Sequence, residues 1–328
     1  VKTIYVTGAT GILGANVCTQ LIAKGYKARA SVRDMNNSDA RALQEAGVEV
    51  VPGDLKDRAS LSKAIEGADG LIHSGAMLGR PGASWEEGYA TNVVGTMNLL
   101  SAAADAGNMP IVQVLTTTFF DTAKTHSEDS ALDLHCAFMD VYTVTKRLAY
   151  LEGMGRVREG QDIRFMVPGA IYGPSICVEK ANWANTFNDR FIKAITGEMP
   201  KQLPLPMPWS TAEDCAWVCI AALEKGEAGK RYVAHGSPDS TATVATVMNR
   251  ACEIAGVSHR IGEYTKEELD SPELLEIFGP TIPLLAKKTY PEPFSSSFKT
   301  QAALGYKPTE LADGVQAMIA WLREVRAI

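Results

Sequence analysis

The sequence contains no apolar run approaching the roughly 20 residues that a bilayer-spanning helix needs, so a membrane protein is not expected. Its first residues read as a strand, without the charged and then apolar pattern of a secretory leader. A soluble, cytoplasmic protein is the resulting expectation. The basic excess of a nucleic-acid binder is also missing: 32 Lys and Arg stand against 38 Asp and Glu, a net charge of -6. The six cysteines include no CxxC pair, and the five histidines form no HxxxH or HExxH arrangement. Cys215 and Cys219 have helix-face spacing but no second Cys or His pair beside them, so no metal site is expected. The cysteines read as small buried hydrophobes. Internal repeats and low-complexity tracts are absent as well.

What is present is a long alternation of strand-like and helix-like segments over 328 residues, enough for a large core. Strands are predicted at 3–6, 28–32, 48–51, 70–73, 111–116 and 163–167, with helices at 12–23, 40–46, 60–65, 85–106 and 140–158. This order implies an α/β fold: a Rossmann-type doubly wound parallel sheet with helices on both faces. After Pro168 the character changes. Prolines crowd 197–209, which reads as loops. Helices resume at 212–224, 244–255, 266–277 and 311–325, with a strand at 231–235 and an irregular stretch at 280–293. The expected organisation is a nucleotide domain over 1–172, to which 209–236 returns. A smaller, discontinuous substrate lobe spans 173–208 and 237–310, and 311–328 forms a closing helix.

Two motifs carry chemistry. Thr7-Gly8-Ala9-Thr10-Gly11-Ile12-Leu13-Gly14 sits at the first strand–helix turn. Glycines there let the backbone approach a pyrophosphate, and the helix N-terminus offers it free N–H groups. Tyr142-Thr143-Val144-Thr145-Lys146 places a phenol and an ammonium four residues apart, on one helix face. A nearby cation is expected to lower the phenol pKa towards working pH, giving a proton donor and acceptor. At the end of the second strand, Ser31-Val32-Arg33-Asp34 offers a guanidinium where an NAD enzyme wants a carboxylate. Arg33 suits a 2′-phosphate, which favours NADP(H) over NAD(H). The alternative is a solvated Arg33 with Asp34 on the ribose. Asp54, in Gly53-Asp54-Leu55, reads as an adenine contact or equally as a helix N-cap. His73 reads as core or ligand-facing; Ser74, Gly75 and Ala76 after it would admit the cofactor closely.

With these residues assembled, the chain resembles the extended short-chain dehydrogenase/reductase family, within the NAD-dependent epimerase-dehydratase superfamily. TGATGILG, SVRD, GDL, the HSGA strand end, Asn92 in TNVVGT, YTVTK and the segment Pro168-Gly169-Ala170-Ile171-Tyr172-Gly173-Pro174 all fall in family order over nearly the whole length. The resemblance implies Thr118, the third hydroxyl of Thr116-Thr117-Thr118, as the catalytic hydroxyl, with Thr117 second. It implies Tyr142 as general acid/base and Lys146 on the nicotinamide ribose. It also implies Asn92 orienting a water or the lysine, Thr116 close to the cofactor, and Pro168, Gly169, Ala170 and Ile171 lining the nicotinamide. The long helices 85–106 and 140–158 are the surface through which related enzymes dimerise, and a homodimer of that kind is the assembly the resemblance allows.

Departures from the family narrow the reaction. Thr117-Thr118-Phe119 stands where 4,6-dehydratases carry Thr-Asp-Glu, so the groups for eliminating water are missing. Pro206-Met207-Pro208-Trp209 replaces the arginine-bearing run that epimerases favour, and Val167 stands where an arginine is usual. Phe119, Phe120, Trp183 and Phe187 are read as an apolar substrate pocket, or as core of the second lobe. The pattern is most similar to the dihydroflavonol-reductase-like carbonyl reductases. It implies an NADP(H)-dependent oxidoreductase that interconverts a small, largely apolar ketone or aldehyde and its alcohol. A nucleotide-sugar epimerase or reductase is the alternative, for which Arg190, Lys193 and Lys201 would supply cations to the diphosphate. A non-catalytic NADP-sensing regulator is the third reading, disfavoured by the intact Thr118, Tyr142 and Lys146.

Overall fold

The computed structural model describes residues 1–79, 83–121, 123–133, 140–184, 186–278 and 281–328. The strands are β1 Thr3–Thr7, β2 Lys27–Val32, β3 Glu49–Pro52, β4 Gly70–His73, β5 Ile111–Val114, β6 Ile163–Pro168, β7 Ala170–Tyr172, β8 Lys201–Gln202, β9 Pro206–Thr211, β10 Arg231–Ala234, β11 Thr241–Thr243 and β12 Gly262–Glu263. The first helices are α1 Ile12–Ala23, α2 Ser38–Glu45, α3 Arg58–Ile65, α4 Trp85–Gly88, α5 Gly95–Asp105 and α6 Val141–Arg158. They continue with α7 Val178–Ala181, α8 Phe187–Thr196, α9 Ala212–Lys225, α10 Val244–Ala255, α11 Pro272–Phe278, α12 Thr281–Ala286, α13 Phe298–Leu304 and α14 Leu311–Glu324.

Seven strands form one parallel sheet in the order β10-β6-β5-β4-β1-β2-β3. β4, β5 and β6 are buried along their whole length, as expected of parallel strands covered on both faces. Residues of α1 and α9 pack on one face. Residues of α3, α5 and α6 pack on the other. The strand order reverses between β1 and β4, and such a switch point opens a crevice at the strand C-termini. A second core joins α8, α10 and α14 to the small sheet β11-β9-β7.

Four segments differ from their sequence reading. The helix expected over 85–106 is broken by a π-helical stretch, Tyr89–Val94, between α4 and α5. The proline-rich 197–209 stretch holds β9. Pro206 and Pro208 pair with β11 through one edge, and pairing to β7 begins only at Trp209. Where a strand has a single neighbour, the missing proline N–H costs no ladder bond. The helix expected over 266–277 starts afresh at Pro272, whose missing donor suits a first helical position. The irregular 280–293 stretch contains α12.

Within 237–310, assigned by sequence to the lobe, α13 lies instead on the main sheet. The Thr300 hydroxyl accepts the β10 Val233 N–H at 2.7 Å, satisfying an edge strand. Cys18, Cys177, Cys215, Cys219 and Cys252 are free and buried, whereas Cys136 lies outside the described residues. Among the described residues, no helix is long and apolar enough to cross a membrane, and no cluster of metal-ligating side chains occurs.

Candidate active site

The glycine turn is built by close backbone packing. Gly8 has φ +71, and a Cβ on it would meet Gly75 N at 2.6 Å; one on Gly14 would meet Gly8 O at 2.3 Å. Neither position admits a side chain. α1 begins at Gly11 with no side-chain cap and no acidic residue in its first turn. Its positive end is therefore open to an anion, which fits the pyrophosphate of a dinucleotide. Leu13 is buried below the turn, and Ile12 packs towards the second core. Ser74 Oγ donates to Thr7 O at 2.7 Å and Gly75 N to Thr7 Oγ1 at 3.3 Å, closing β4 onto β1 at the switch point. Ala76 follows, half-buried. Leu55 Cδ1 approaches Gly75, and Leu55 O accepts from Asn98 Nδ2 at 3.0 Å. Asp54 accepts Lys56 N at 2.9 Å, whereas α3 is capped by Asp57, so the N-cap alternative for Asp54 does not hold.

Beyond β2, Arg33 is exposed and Asp34 accepts Asn36 N at 2.9 Å. Both line a cleft of about 290 Å³ with Thr10, Asn37, Lys180 and Trp183. Trp183 thus stands at the Arg33 end of the crevice rather than in a pocket with Phe119 and Phe120. The latter two are also placed differently from expectation: each is 1% exposed. They pack against each other, and Phe119 stacks on Tyr150 at 5.7 Å, beneath α5 and α6. They are core because, after Thr118, their rings pack on the face of the sheet that α5 and α6 cover. Phe187 sits edge-on to Trp209 at 5.0 Å in the second lobe.

At the end of β5 the three threonines separate. The Thr116 hydroxyl acts on the Tyr142 phenol and favours its ionised form. Thr118 Oγ1 accepts from Thr143 Oγ1 at 2.9 Å and lies 3.3 Å from Thr116 Oγ1. Thr117 makes no side-chain hydrogen bond among the described residues. Thr118, the residue expected to touch the substrate oxygen, is thus bonded within the β5–α6 junction, and Thr116 is the threonine whose hydroxyl acts on the phenol. The strand ends at Val114 and the backbone turns, which aims Thr118 at the first turn of α6. No signal in three consecutive threonines distinguishes them.

Lys146 is buried, and its Nζ donates to Val114 O at 2.6 Å. Loss of water holds its pKa down at about 8. The expected depression of the Tyr142 phenol is not found. Burial pushes it up to about 12, partly offset by the Thr116 hydroxyl and reinforced by Asp140. The ammonium is engaged with a strand carbonyl, so desolvation outweighs it, and Tyr142 is held firmly as an acid.

Asn92 lies in the π-helical turn and is buried. Its side chain accepts Met77 N at 2.7 Å and donates to Met77 O at 3.0 Å and Thr145 Oγ1 at 2.9 Å. Its bonds tie Met77 to α6 rather than reaching Lys146. A π-turn shifts the side-chain register, and such turns recur at functional sites. His73 is core: it bridges Thr7 Oγ1 at 2.7 Å and Thr96 Oγ1 at 3.0 Å, and burial lowers its pKa to about 3. Thr143 and Thr145, unremarked inside the Tyr–Lys motif, are the residues that carry these contacts.

The floor of the crevice is the β6–β7 junction. Pro168 ends β6, and a Cβ on Gly169 would meet Pro208 O at 2.4 Å. Ala170 pairs with Trp209 and Ile171 with Ser210. The two sheets thereby join at the β6–β7 junction.

The model of the NAD dependent epimerase/dehydratase family matches residues 4–234. The chain belongs to this family. Members take a nicotinamide dinucleotide, and the bare α1 terminus fits that group. Among curated relatives, Sterol demethylase protein B of Methylococcus capsulatus is 29% identical, covering 77% of this chain and 75% of its own. A putative dihydroflavonol 4-reductase of Synechocystis is 31% identical over 52% of this chain and 49% of its own. The crystal structure of gox2253 is 25% identical and covers the whole of both chains, with a TM-score of 0.84.

Proposed function

We propose that this family member is an NADP(H)-dependent oxidoreductase that interconverts a small, largely apolar ketone or aldehyde and its alcohol. The observation that carries the reading is the meeting of Tyr142 and the buried Lys146, one turn apart on α6, with the threonines at the C-terminal end of β5. The bound nicotinamide supplies or accepts the hydride. Gly8, Thr10, Gly11, Ile12, Leu13 and Gly14 would hold its pyrophosphate, Arg33 its 2′-phosphate, and Asp54 and Leu55 its adenine. Ser74, Gly75, Ala76 and the Pro168–Ile171 segment would flank its nicotinamide half.

Tyr142 then donates its phenolic proton to the oxygen of the reacting carbonyl, with Thr116 holding that oxygen by a second hydrogen bond. In oxidation the same proton returns to the phenol oxygen. Lys146, one turn further along α6, stabilises the phenolate left behind and would reach the nicotinamide ribose. The relative named as a dihydroflavonol reductase supports carbonyl chemistry. The missing acid and base at Thr118 and Phe119 speak against water elimination. Of the cations considered for a sugar diphosphate, Lys193 pairs with Asp189 at 2.8 Å and Lys201 pairs with Glu268. That weighs against a nucleotide-sugar substrate.

The test is a panel of ketones, aldehydes and alcohols read by absorbance of the reduced nicotinamide, with NADPH binding measured separately. Tyr142→Phe is expected to keep NADPH affinity and lose at least ~100-fold in turnover. Near-normal turnover in that variant would refute the assignment.

A further inference from the structure

We propose that Thr143, the residue directly after Tyr142, is a positioning residue: it sets the direction of a hydroxyl chain, Thr143 to Thr118 to Thr116, so that Thr116 turns its proton towards the reacting oxygen. The inference rests on the carbonyl-reductase reading and adds a side chain to which that reading gives no role.

Three observations converge. The first is the order of donors. The Thr143 hydroxyl donates to Thr118 Oγ1 at 2.9 Å. A hydroxyl has one proton, so that of Thr143 is spent there and Thr118 keeps its own for a further partner. Thr116 Oγ1 stands 3.3 Å away. It also accepts the Thr118 backbone N–H at 3.4 Å. With an N–H and an O–H both arriving from Thr118, the lone pairs of Thr116 are engaged and its proton points elsewhere. Linked hydrogen bonds polarise one another, so a hydroxyl that accepts is a better donor.

The second lies at the far end of the chain. The Thr116 hydroxyl favours the ionised form of the Tyr142 phenol. Donation towards the phenol oxygen has that effect, whereas acceptance from it has the opposite one. The direction fixed at Thr143 and the direction felt at the phenol agree.

The third is how firmly Thr143 is held. Thr143 and Thr116 are both buried, away from water that could reverse a hydroxyl. The Thr143 backbone N–H donates to Asp140 Oδ1 at 3.0 Å, which caps α6 and seats its first turn over the end of β5. Thr145, two residues on, spends its hydroxyl on Val141 O of its own helix, as helical threonines commonly do. Thr143 sends its hydroxyl across to the strand end instead. A Thr116 turned the other way would offer a lone pair to the carbonyl oxygen, and charge developing there would be repelled. The chain orients hydroxyls and transfers no proton; the proton that moves is that of Tyr142.

The experiment joins steady-state kinetics over the carbonyl panel to NMR of the intact protein labelled at the tyrosine Cζ carbons. The Tyr142 signal is assigned by its loss in Tyr142→Phe. Wild type is compared with Thr143→Val, Thr143→Ser, Thr116→Val and the Thr143→Val/Thr116→Val pair. Valine keeps the side-chain shape and the backbone bond to Asp140; Thr143→Ala replaces it if the valine variant does not fold. Thr143→Val is expected to move the Tyr142 signal and to lower kcat about tenfold, with KM and NADPH affinity within about twofold of wild type. Thr143→Ser should restore both. In the paired variant the two losses should not add, because both act through the Thr116 proton. An unmoved Tyr142 signal in Thr143→Val overturns the inference and leaves the carbonyl-reductase reading standing, and this comparison needs no substrate. Failure of serine to restore, or full additivity with Thr116→Val, overturns it equally. Near-normal turnover in Tyr142→Phe removes the reading, and the inference with it.

Discussion

The two ends of the crevice are built on opposite principles. Around Tyr142 nearly every polar group is buried and bonded to another: Thr118 to Thr143, Lys146 to Val114, Asn92 to Met77 and Thr145, His73 to Thr7 and Thr96. Around Arg33 the charged groups line an open cleft, and the acids serve as braces. The first end is preorganised, because buried partners that move leave costly unpaired groups. The second end, on the function proposed above, would meet its ligand through partly solvated charges, which confer selectivity in smaller increments and respond to salt. On the function proposed above, chemistry and cofactor choice would be separated in space and in the size of the energies that support them.

The sharpest break in this contrast comes from Phe119. As a core residue at 1% exposure, Phe119→Ala should destabilise the fold by about 3–5 kcal/mol, read as a drop in the denaturant midpoint. If it changed KM with unaltered stability, the residue would belong to the pocket after all.

Next comes Lys146. Its folded pKa of about 8 lies below the 10.5 of a free lysine. Below pH 8 both folded and unfolded chains carry the proton, and the folded state bears the full desolvation cost. As pH rises from 8 towards 10.5 the folded chain releases the proton first. The unfolded state then binds more protons, so stability rises with pH through that window. The gain is at most about 3 kcal/mol from this group. Lys146→Met should flatten the rise in melting temperature relative to wild type, and an unchanged slope would show that the ammonium is not desolvated.

The smallest effect expected at this end is that of Asn92→Ala. Removing its side chain unpairs Met77 and Thr145 and should cost about 1–3 kcal/mol, with turnover falling and NADPH affinity held. A variant with wild-type stability would mean that the tie between the 77–79 segment and α6 carries no load. At the open end, Arg33→Ser completes the series, with NADPH binding weakened about tenfold and NADH little changed.

Much of the architecture could be read from local patterns. The glycine turn and the alternating strands announced the parallel sheet, and α1, α6 and α10 lie within a residue or so of where periodicity placed them. The π-turn at Asn92 could not be read in this way. Its sequence is compatible with a continuous helix, and only docking against α6, where a Cβ on Gly88 would meet Val141 at 2.3 Å, accounts for a local shift in register. β9 was hidden because prolines mark loops by propensity, while an edge position removes their penalty.

By itself the sequence determined the fold class, the dinucleotide turn and the Tyr142–Lys146 pair, because these depend on spacing along one element. Only the tertiary structure decided which threonine meets the phenol, that Phe119 and Phe120 are core, and that Lys180 and Trp183 share a cleft with Arg33. Each of those depends on chain segments distant in sequence. Burial, which sets both contacts and pKa values, is a property of the packed molecule rather than of any residue's neighbours along the chain.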